Sequence, residues 1–194
     1  MKTRIFLTAA VIAVLSISSF AQKNNRFGIE LNGGASFATQ KLSEAELNTG
    51  FGFEGILQYH FLPQLGVYGG WGWNRFGADD SFAGQDVCFE ETGYILGLQF
   101  RQALGNSNTT AFLRAGSLYN HIEIENADGD IVKDSGHGFG WQVAGGVEIP
   151  LGSNWSVAPG VKFNSLNRDI DLEGSTRELK HNYISARVGI VKRF

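Results

Sequence analysis

Residues 138–149 read GFGWQVAGGVEI, and their side chains alternate between two kinds. The even positions are glycine, alanine, glutamine or glutamate, and the odd ones are mostly apolar: Phe139, Trp141, Val143, Val147 and Ile149. Successive side chains of a β-strand point to opposite faces of a sheet. A period of two therefore predicts a strand with one apolar face and one small or polar face.

The same alternation recurs along the chain and predicts eight strands. The two faces are least distinct in the strand at 110–121. We predict that its even-numbered residues point inward, because Arg114 is one of them. Strands of this length suffice for a tilted membrane crossing, which needs about 9–11 residues. The predicted strands lie at 26–37, 50–61, 65–76, 91–101, 110–121, 138–149, 155–164 and 182–194.

The connections between these strands alternate between long and short. They lie at 38–49, 62–64, 77–90, 102–109, 122–137, 150–154 and 165–181. Outer-membrane barrels have long extracellular loops and short periplasmic turns, with apolar side chains facing lipid and polar ones facing the lumen. Residues 22–194 are thus predicted to be all-β: an eight-stranded antiparallel up-and-down transmembrane β-barrel with both termini in the periplasm. A soluble β-sandwich, the alternative, leaves the alternation of loop lengths unexplained.

The first 21 residues have the pattern of a secretory signal peptide. Lys2 and Arg4 precede an apolar run at 5–15, and Ser19 and Ala21 occupy the −3 and −1 positions of a cleavage site before Gln22. The apolar run is shorter than the roughly 20 residues of a spanning helix, so an uncleaved anchor is the less favoured alternative. We expect Sec-type export, signal-peptide cleavage and insertion into the outer membrane of a Gram-negative bacterium.

Composition excludes several classes of function. The net charge is −3 and no run of Lys or Arg occurs, so no nucleic-acid partner is expected. Cys88 is the only cysteine, which excludes an intramolecular disulfide and a cysteine-based zinc site. The acidic run at 126–130 lacks the first ligand of an EF-hand, because Ile124 occupies that position. We therefore expect no cofactor and no metal.

The inward parity carries charged and polar side chains that should meet inside the barrel. Eight strands enclose a space just wide enough for side chains to fill. We predict a hydrogen-bonded ion network, with Glu30 near Arg187 and Arg114 near Glu148, because these residues lie on neighbouring strands. A gated path for ions or small solutes is the alternative. The predicted lumen residues are Glu30, Glu54, Gln99, Arg114, Glu148, Lys162 and Arg187.

These features resemble the "outer membrane protein β-barrel domain", or "porin family", proteins, which are similar in design to the barrel of outer membrane protein A. The signal peptide, the eight alternating strands, the stretch at 138–148, the segment at 154–157 and the terminal Phe194 carry the resemblance. The resemblance implies a C-terminal signal read by the barrel assembly machinery, although Lys192 departs from the family's apolar pattern. The implied signal residues are Ala186, Val188, Ile190 and Phe194.

Three functions remain open from the sequence. The first is a structural or surface-interaction barrel without catalysis, monomeric and surrounded by lipid and lipopolysaccharide, with an unknown partner at its acidic loops. The second is a narrow porin for small solutes or ions. The third is a lipid-modifying enzyme, for which His181 and Ser185, with Glu30 across the closure, are the candidate catalytic group.

Three smaller expectations complete the prediction. Arg75 and Lys192 fall on the lipid-facing parity at strand ends, where a charge costs about 0–1 kcal/mol. Arg75 could pair with lipopolysaccharide phosphates, and simple snorkelling explains it equally well. The Asp128-Gly129 dipeptide predicts a hairpin turn between 122–125 and 130–133, extending beyond the membrane. Cys88 is expected to be a bystander in an outer loop.

Overall fold

The computed structural model describes residues 25–105, 107–172 and 175–194 and contains nine antiparallel strands in this part of the chain. The predicted signal peptide lies outside the described residues. No helix within the described ranges is long and apolar enough to cross a membrane. The strands are β1 Phe27–Ala38, β2 Gly50–His60, β3 Leu65–Ser81, β4 Gly84–Ala103, β5 Thr110–Glu125, β6 Ile131–Asp134, β7 Gly138–Gly152, β8 Trp155–Leu172 and β9 Ser175–Arg193.

Eight of these strands form a closed ring, within which each pairs with two neighbours. The order is β4-β3-β2-β1-β9-β8-β7-β5, and a further pairing between β4 and β5 completes the circle. The short strand β6 pairs only with the end of β5 and stands outside the ring. The prediction of eight antiparallel strands that follow one another around a ring is confirmed. Closure leaves no long strand with an unpaired edge.

The ring has two different ends. At the turn end lie the short connections 61–64, 104–109 and 153–154, together with both ends of the described chain. At the opposite end, which we call the loop end, lie the 39–49 loop, the β5–β6 hairpin and the tips of β3–β4 and β8–β9. All functional groups described below are placed by their depth between these two ends.

Side chains alternate between the interior and the outer surface along every long strand. Leu31, Leu96 and Phe139 are 63%, 69% and 75% exposed, whereas Glu30 is 3% exposed. Arg114 and Phe112 are both buried, so the inward parity predicted for 110–121 is confirmed. An apolar exterior around a polar interior is the pattern of a membrane barrel and the reverse of a soluble one.

The structure corrects two predicted loops, 77–90 and 165–181. Strands β3 and β4 run through the first of these and leave only residues 82–83 between them, and β8 and β9 occupy most of the second. Cys88 therefore lies on β4, half-buried, and not in a loop. The reason is that the polarity of the two faces inverts at the loop end. There Phe89 and Leu179 point inward and Asp79 and Asp169 outward, so an apolar outer face no longer marks the strand.

These inverted strand ends enclose an apolar cluster that fills the ring at the loop end. Leu42 and Ala45 of the 39–49 loop fold into it and are 0% and 1% exposed. Burial of such side chains stabilises the loop end much as it does a soluble core. The other buried members are Ala78, Val87, Phe89, Ile122, Ile124, Leu166, Ile170 and Leu179.

The predicted hairpin in the third outer connection is confirmed. Strand β6 pairs with β5 from Glu123 opposite Asp134 to Glu125 opposite Ile131, with a register shift between residues 124 and 125. Asn126 Oδ1 accepts hydrogen bonds from the N–H groups of Asp128 and Asp130, and Gly129 adopts the positive φ of 84° that the turn requires.

Candidate functional site

The interior of the ring is the candidate site, because all seven predicted lumen residues lie inside it. Their exposed fractions run from 0% for Gln99 to 7% for Arg187. Buried charges are costly unless they are paired and hydrogen-bonded. The partners of each charge therefore show what the interior can do. The seven residues spread over several depths rather than forming one cluster.

The central contact joins Glu30 of β1 to Arg114 of β5. Arg114 donates to both carboxylate oxygens of Glu30, with 3.1 Å between Nη1 and Oε1. Gln58 Nε2 also donates to Glu30 at 2.7 Å, and Arg114 Nε donates to Gln99 Oε1 at 2.6 Å. The guanidinium lies 4.7 Å from the ring centre of Phe112. This bidentate pair crosses the lumen and holds opposite walls together.

The two predicted ion pairs, Glu30–Arg187 and Arg114–Glu148, are wrong. Arg187 stands opposite Gly34, four residues along β1 from Glu30, and Glu148 stands opposite Thr110, four residues along β5 from Arg114. Four residues of strand span about 13 Å. Neighbouring strands bring residues together only at equal depth, and depth depends on the register.

Glu148 instead belongs to a group at the turn end. Arg193 Nη2 donates to its carboxylate at 2.6 and 2.7 Å, and Arg101 Nη2 donates to it at 2.8 Å. His60 lies beside this group, with its Nε2 atom 3.1 Å from Gln99 Nε2. A cavity of about 460 Å³, lined by His60, Arg101 and Arg193 among others, opens at this end. The interior therefore begins with a basic vestibule.

A second ion pair and a hydrogen-bonded group lie on the loop side of Glu30. Lys162 of β8 pairs with Glu54 of β2 across the lumen. Arg187 donates to Asn74 and to Ser36. The cavity among the central charges measures about 30 Å³, which holds about one or two water molecules. The middle of the ring is thus filled by side chains.

Glycines on the inner wall make room for these long side chains. Tyr68 of β3 lies across Gly97 of β4 and Gly116 of β5, and its hydroxyl accepts a hydrogen bond from Gln142 Nε2 at 3.0 Å. A β-carbon at Gly97 would lie 2.8 Å from the Tyr68 ring, and one at Gly116 would lie 2.5 Å from the hydroxyl. Both positions require glycine for this close approach.

Several buried or half-buried polar residues of the interior were not among the predicted lumen set. Arg101, Arg193 and Gln142 share the inward parity, so the same alternation could have identified them. Nearer the loop end, Asn120 Nδ2 donates to Glu91 at 2.6 Å, and Asn164 Nδ2 donates to the Tyr183 hydroxyl at 2.6 Å. Glu91 was predicted to be the first residue of its strand, so no preceding strand residue helped to assign its side chain to the inner or the outer face.

The catalytic group considered for a lipid-modifying enzyme does not come together. The Ser185 and Ser36 hydroxyls are hydrogen-bonded at 2.8 Å. Glu30 lies six residues from Ser36 along β1 and forms its ion pair with Arg114. His181 Nε2 is 3.6 Å from Glu91, and its ring packs edge-on against Phe76 at 4.8 Å. His181 therefore occupies a packed position beneath the apolar cluster.

The outer surface places the two predicted lipid-facing charges at opposite ends. Arg75, at the loop end, forms ion pairs with Glu90 at 3.1 Å and Glu125 at 3.3 Å. Lys192, at the turn end, donates to the Ser153 carbonyl at 2.7 Å and lies 5.0 Å from the Trp155 ring centre. Both charges thus find partners within the protein.

Exposed aromatic rings form contacts on the outer surface near both ends. Phe27 and Tyr59 are 4.8 Å apart at the turn end, and Tyr119 and Phe139 are 5.1 Å apart towards the loop end. Girdles of aromatic side chains at both interfaces are typical of outer-membrane barrels.

Known structures share this architecture. Neisserial surface protein A superposes with a TM-score of 0.61 at 15% identity, over 87% of this chain and 97% of that one. OprG from Pseudomonas aeruginosa gives 0.59 at 14% identity, over 87% and 96%. Outer membrane protein W from E. coli gives 0.57 at 14% identity, over 89% and 100%. At these identities the likeness concerns the fold alone.

The sequence itself carries the family assignment. No curated protein matches the chain. The sequence model described as "Outer membrane protein beta-barrel domain" matches residues 7–191, which is almost the whole chain. This family points to the outer membrane of Gram-negative bacteria. With its closed ring of strands, apolar exterior and charged interior, the chain belongs to the outer membrane protein beta-barrel domain family.

Proposed function

We propose that this protein is a non-catalytic, non-conducting barrel that presents a rigid interaction surface outside the cell. One observation carries the proposal: the interior is closed at two depths. The Glu30–Arg114 pair crosses its middle, and the apolar cluster, including Leu42 from the first outer loop, fills its loop end. A polar solute would have to displace both. The second would expose apolar side chains that are at most 2% accessible.

The rigidity of the loop end supports a role in surface interaction. Outer-membrane barrels have their longer connecting segments outside the cell, so the loop end, with its 39–49 loop and extended hairpins, would face the outside. There, hairpins continue the ring as paired strands and rest on the apolar cluster, so they are ordered before any partner arrives. A preformed surface avoids the entropic cost of ordering on binding. The exposed charged side chains there are mainly acidic and include Asp79, Asp80, Asp128, Asp130 and Asp134.

The partners of this barrel are part of the same proposal. Lipid and lipopolysaccharide would surround a monomer, with Arg75 held near the outer leaflet by Glu90 and Glu125. The barrel assembly machinery would read the last strand, where Val188 and Ile190 are 58% and 45% exposed on the lipid-facing side.

Reconstitution into planar lipid bilayers tests whether the interior is closed. We expect no discrete current steps from the wild-type protein, because two separate plugs would have to open together. Co-flotation with vesicles and a heat-dependent mobility shift establish that the protein is inserted and folded. Reproducible open-channel steps from such a preparation would favour the narrow porin instead.

Labelling of intact cells tests the orientation. In a Cys88→Ser background, Asp128→Cys should react with a membrane-impermeant maleimide because it lies at the β5–β6 turn. Gln64→Cys, an equally exposed polar position at the turn end, is the matched control and should react only after the cells are lysed. Labelling of Gln64→Cys in intact cells would reverse the proposed orientation.

A further inference from the structure

Three side chains that can ligate metals meet where β6 leaves the ring. His121 and Glu123 lie two residues apart on the outward face of β5, and Asp134 stands directly opposite Glu123 on β6. The group lies just beyond the Tyr119–Phe139 aromatic contact, on the water side of the loop end. It belongs neither to the lumen nor to the apolar cluster, and the sequence analysis did not anticipate it.

The distances between the potential ligand atoms suit a small divalent ion. His121 Nδ1 is 3.0 Å from Asp134 Oδ1 and 3.9 Å from Glu123 Oε1, and one ligand atom from each residue lies within 4.8 Å of the others. Bonds of about 2.0–2.1 Å in a tetrahedral site place ligand atoms about 3.3 Å apart. Shifts well under 1 Å would bring the first two distances to that value.

The two carboxylates of this group have histidines, and no Lys or Arg, as their basic neighbours within the described ranges. Like charges directly opposite on neighbouring strands destabilise a sheet, yet Glu123 and Asp134 occupy such positions. Within the described ranges, neither carboxylate forms an ion pair with a Lys or Arg. A bound cation would relieve the repulsion between these two opposed carboxylates.

The imidazole of His121 is held in place by a neighbouring ring. His137 stacks on it with 4.3 Å between ring centres and 14° between planes, and Tyr119 lies 5.2 Å from His137. A ligand whose ring orientation is fixed in advance loses less entropy when it binds a metal. The stacked rings cover one side of the group, whereas the exposed carboxylate of Asp134 keeps the other side open to ions.

We propose that His121 Nδ1, Glu123 and Asp134 form a binding site for a divalent transition-metal ion of the Zn²⁺ class. One nitrogen and two carboxylate ligands suit Zn²⁺, whereas Ca²⁺ and Mg²⁺ prefer six or more oxygen ligands. The ion replaces the hydrogen between His121 and Asp134 and neutralises the opposed carboxylates. It thereby fastens β6 to the ring and leaves a coordination position for water or an external ligand.

Calorimetric titration of the metal-free protein in detergent micelles tests the site. We expect ZnCl₂ to bind with one site per chain and CaCl₂ to show no saturable binding. His121→Asn should weaken the Zn²⁺ affinity at least about tenfold, since its amide can still donate to Asp134 but is a poor metal ligand. Asp134→Asn should weaken it by a similar factor.

The matched control is Asp130→Asn, which makes the same change of charge on the same hairpin. Its affinity should stay within about threefold of the wild type, a difference below 1 kcal/mol. A heat-dependent mobility shift verifies the folding of each variant. Equal losses of Zn²⁺ affinity in Asp130→Asn and Asp134→Asn would show that Zn²⁺ binds by diffuse attraction to acidic groups, which contradicts the proposed site. Wild-type protein that binds Zn²⁺ no better than His121→Asn would also contradict it.

Discussion

Replacing Arg114 with methionine should lower the free energy of unfolding by about 3–5 kcal/mol. Arg114 is 4% exposed, and it is the charged partner of Glu30, which is 3% exposed. Methionine fills much of the space but leaves the carboxylate with only Gln58 and Asn32 as donors. Removing one member of a buried pair costs more than removing both, because the remaining charge stays desolvated.

Urea unfolding of the refolded protein in lipid vesicles, followed by tryptophan fluorescence, measures this loss. Arg177→Met is the matched control, because the Arg177 side chain is 41% exposed and lies 3.9 Å from Glu44, whose side chain is 89% exposed, so the same substitution should cost no more than about 1 kcal/mol. The double variant Glu30→Gln, Arg114→Met should recover part of the lost stability. An Arg114→Met protein as stable as Arg177→Met would show that the central pair contributes nothing.

Shortening a buried side chain of the apolar cluster at the loop end should lower the free energy of unfolding by a comparable amount. We expect Ile122→Ala to lower the free energy of unfolding by about 2–5 kcal/mol, because the side chain is 1% exposed and its removal leaves a cavity. The outer hairpins rest on this cluster, so they should also become more sensitive to proteases added outside. The two effects together would indicate that the loop end is a packed core and not a set of loose loops.

The control for this prediction is Ile131→Ala, which removes the same atoms from a side chain that is 57% exposed on β6. Its free energy of unfolding should stay within about 0.5 kcal/mol of the wild type. Limited proteolysis and urea titration of both variants provide the comparison. If the two variants lost the same stability, the loop end would not be held by its buried cluster.

The period of two predicted much of this fold, because each inward or outward residue is set by its neighbours two positions away. It identified the eight strands of the ring, including the ambiguous strand around Arg114. It also predicted correctly that the side chains of the seven lumen residues point to the interior of the ring. Alternation reports a face and says nothing about depth, however. Which charge meets which depends on the register of all eight strands, and for that reason Glu30 was assigned to Arg187 instead of Arg114.

The loop end escaped prediction for a different physical reason. Where strands leave the membrane, the surroundings change from hydrocarbon to water, and the face that must be apolar changes from the outer to the inner one. Phe76 and Val87 continue the inward parity of β3 and β4. Because the inward face was expected to be polar, these apolar residues suggested that the strands end there. The group at His121 was missed because it joins residues across a hairpin whose pairing the sequence only outlined.

The glycines beneath Tyr68 bear on how readily this barrel could change its role. Phe112 rests in the same way over Gly146 and Gly160. Long side chains fill the interior because the wall behind them is bare backbone, so the strands enclose more space than the occluded lumen suggests. The number of strands sets the width of the ring, and a few long side chains set how much of that width is open. Shortening Tyr68, Arg114 and Lys162 would widen the middle of the lumen without altering a single strand pairing, while the apolar cluster would still fill the loop end.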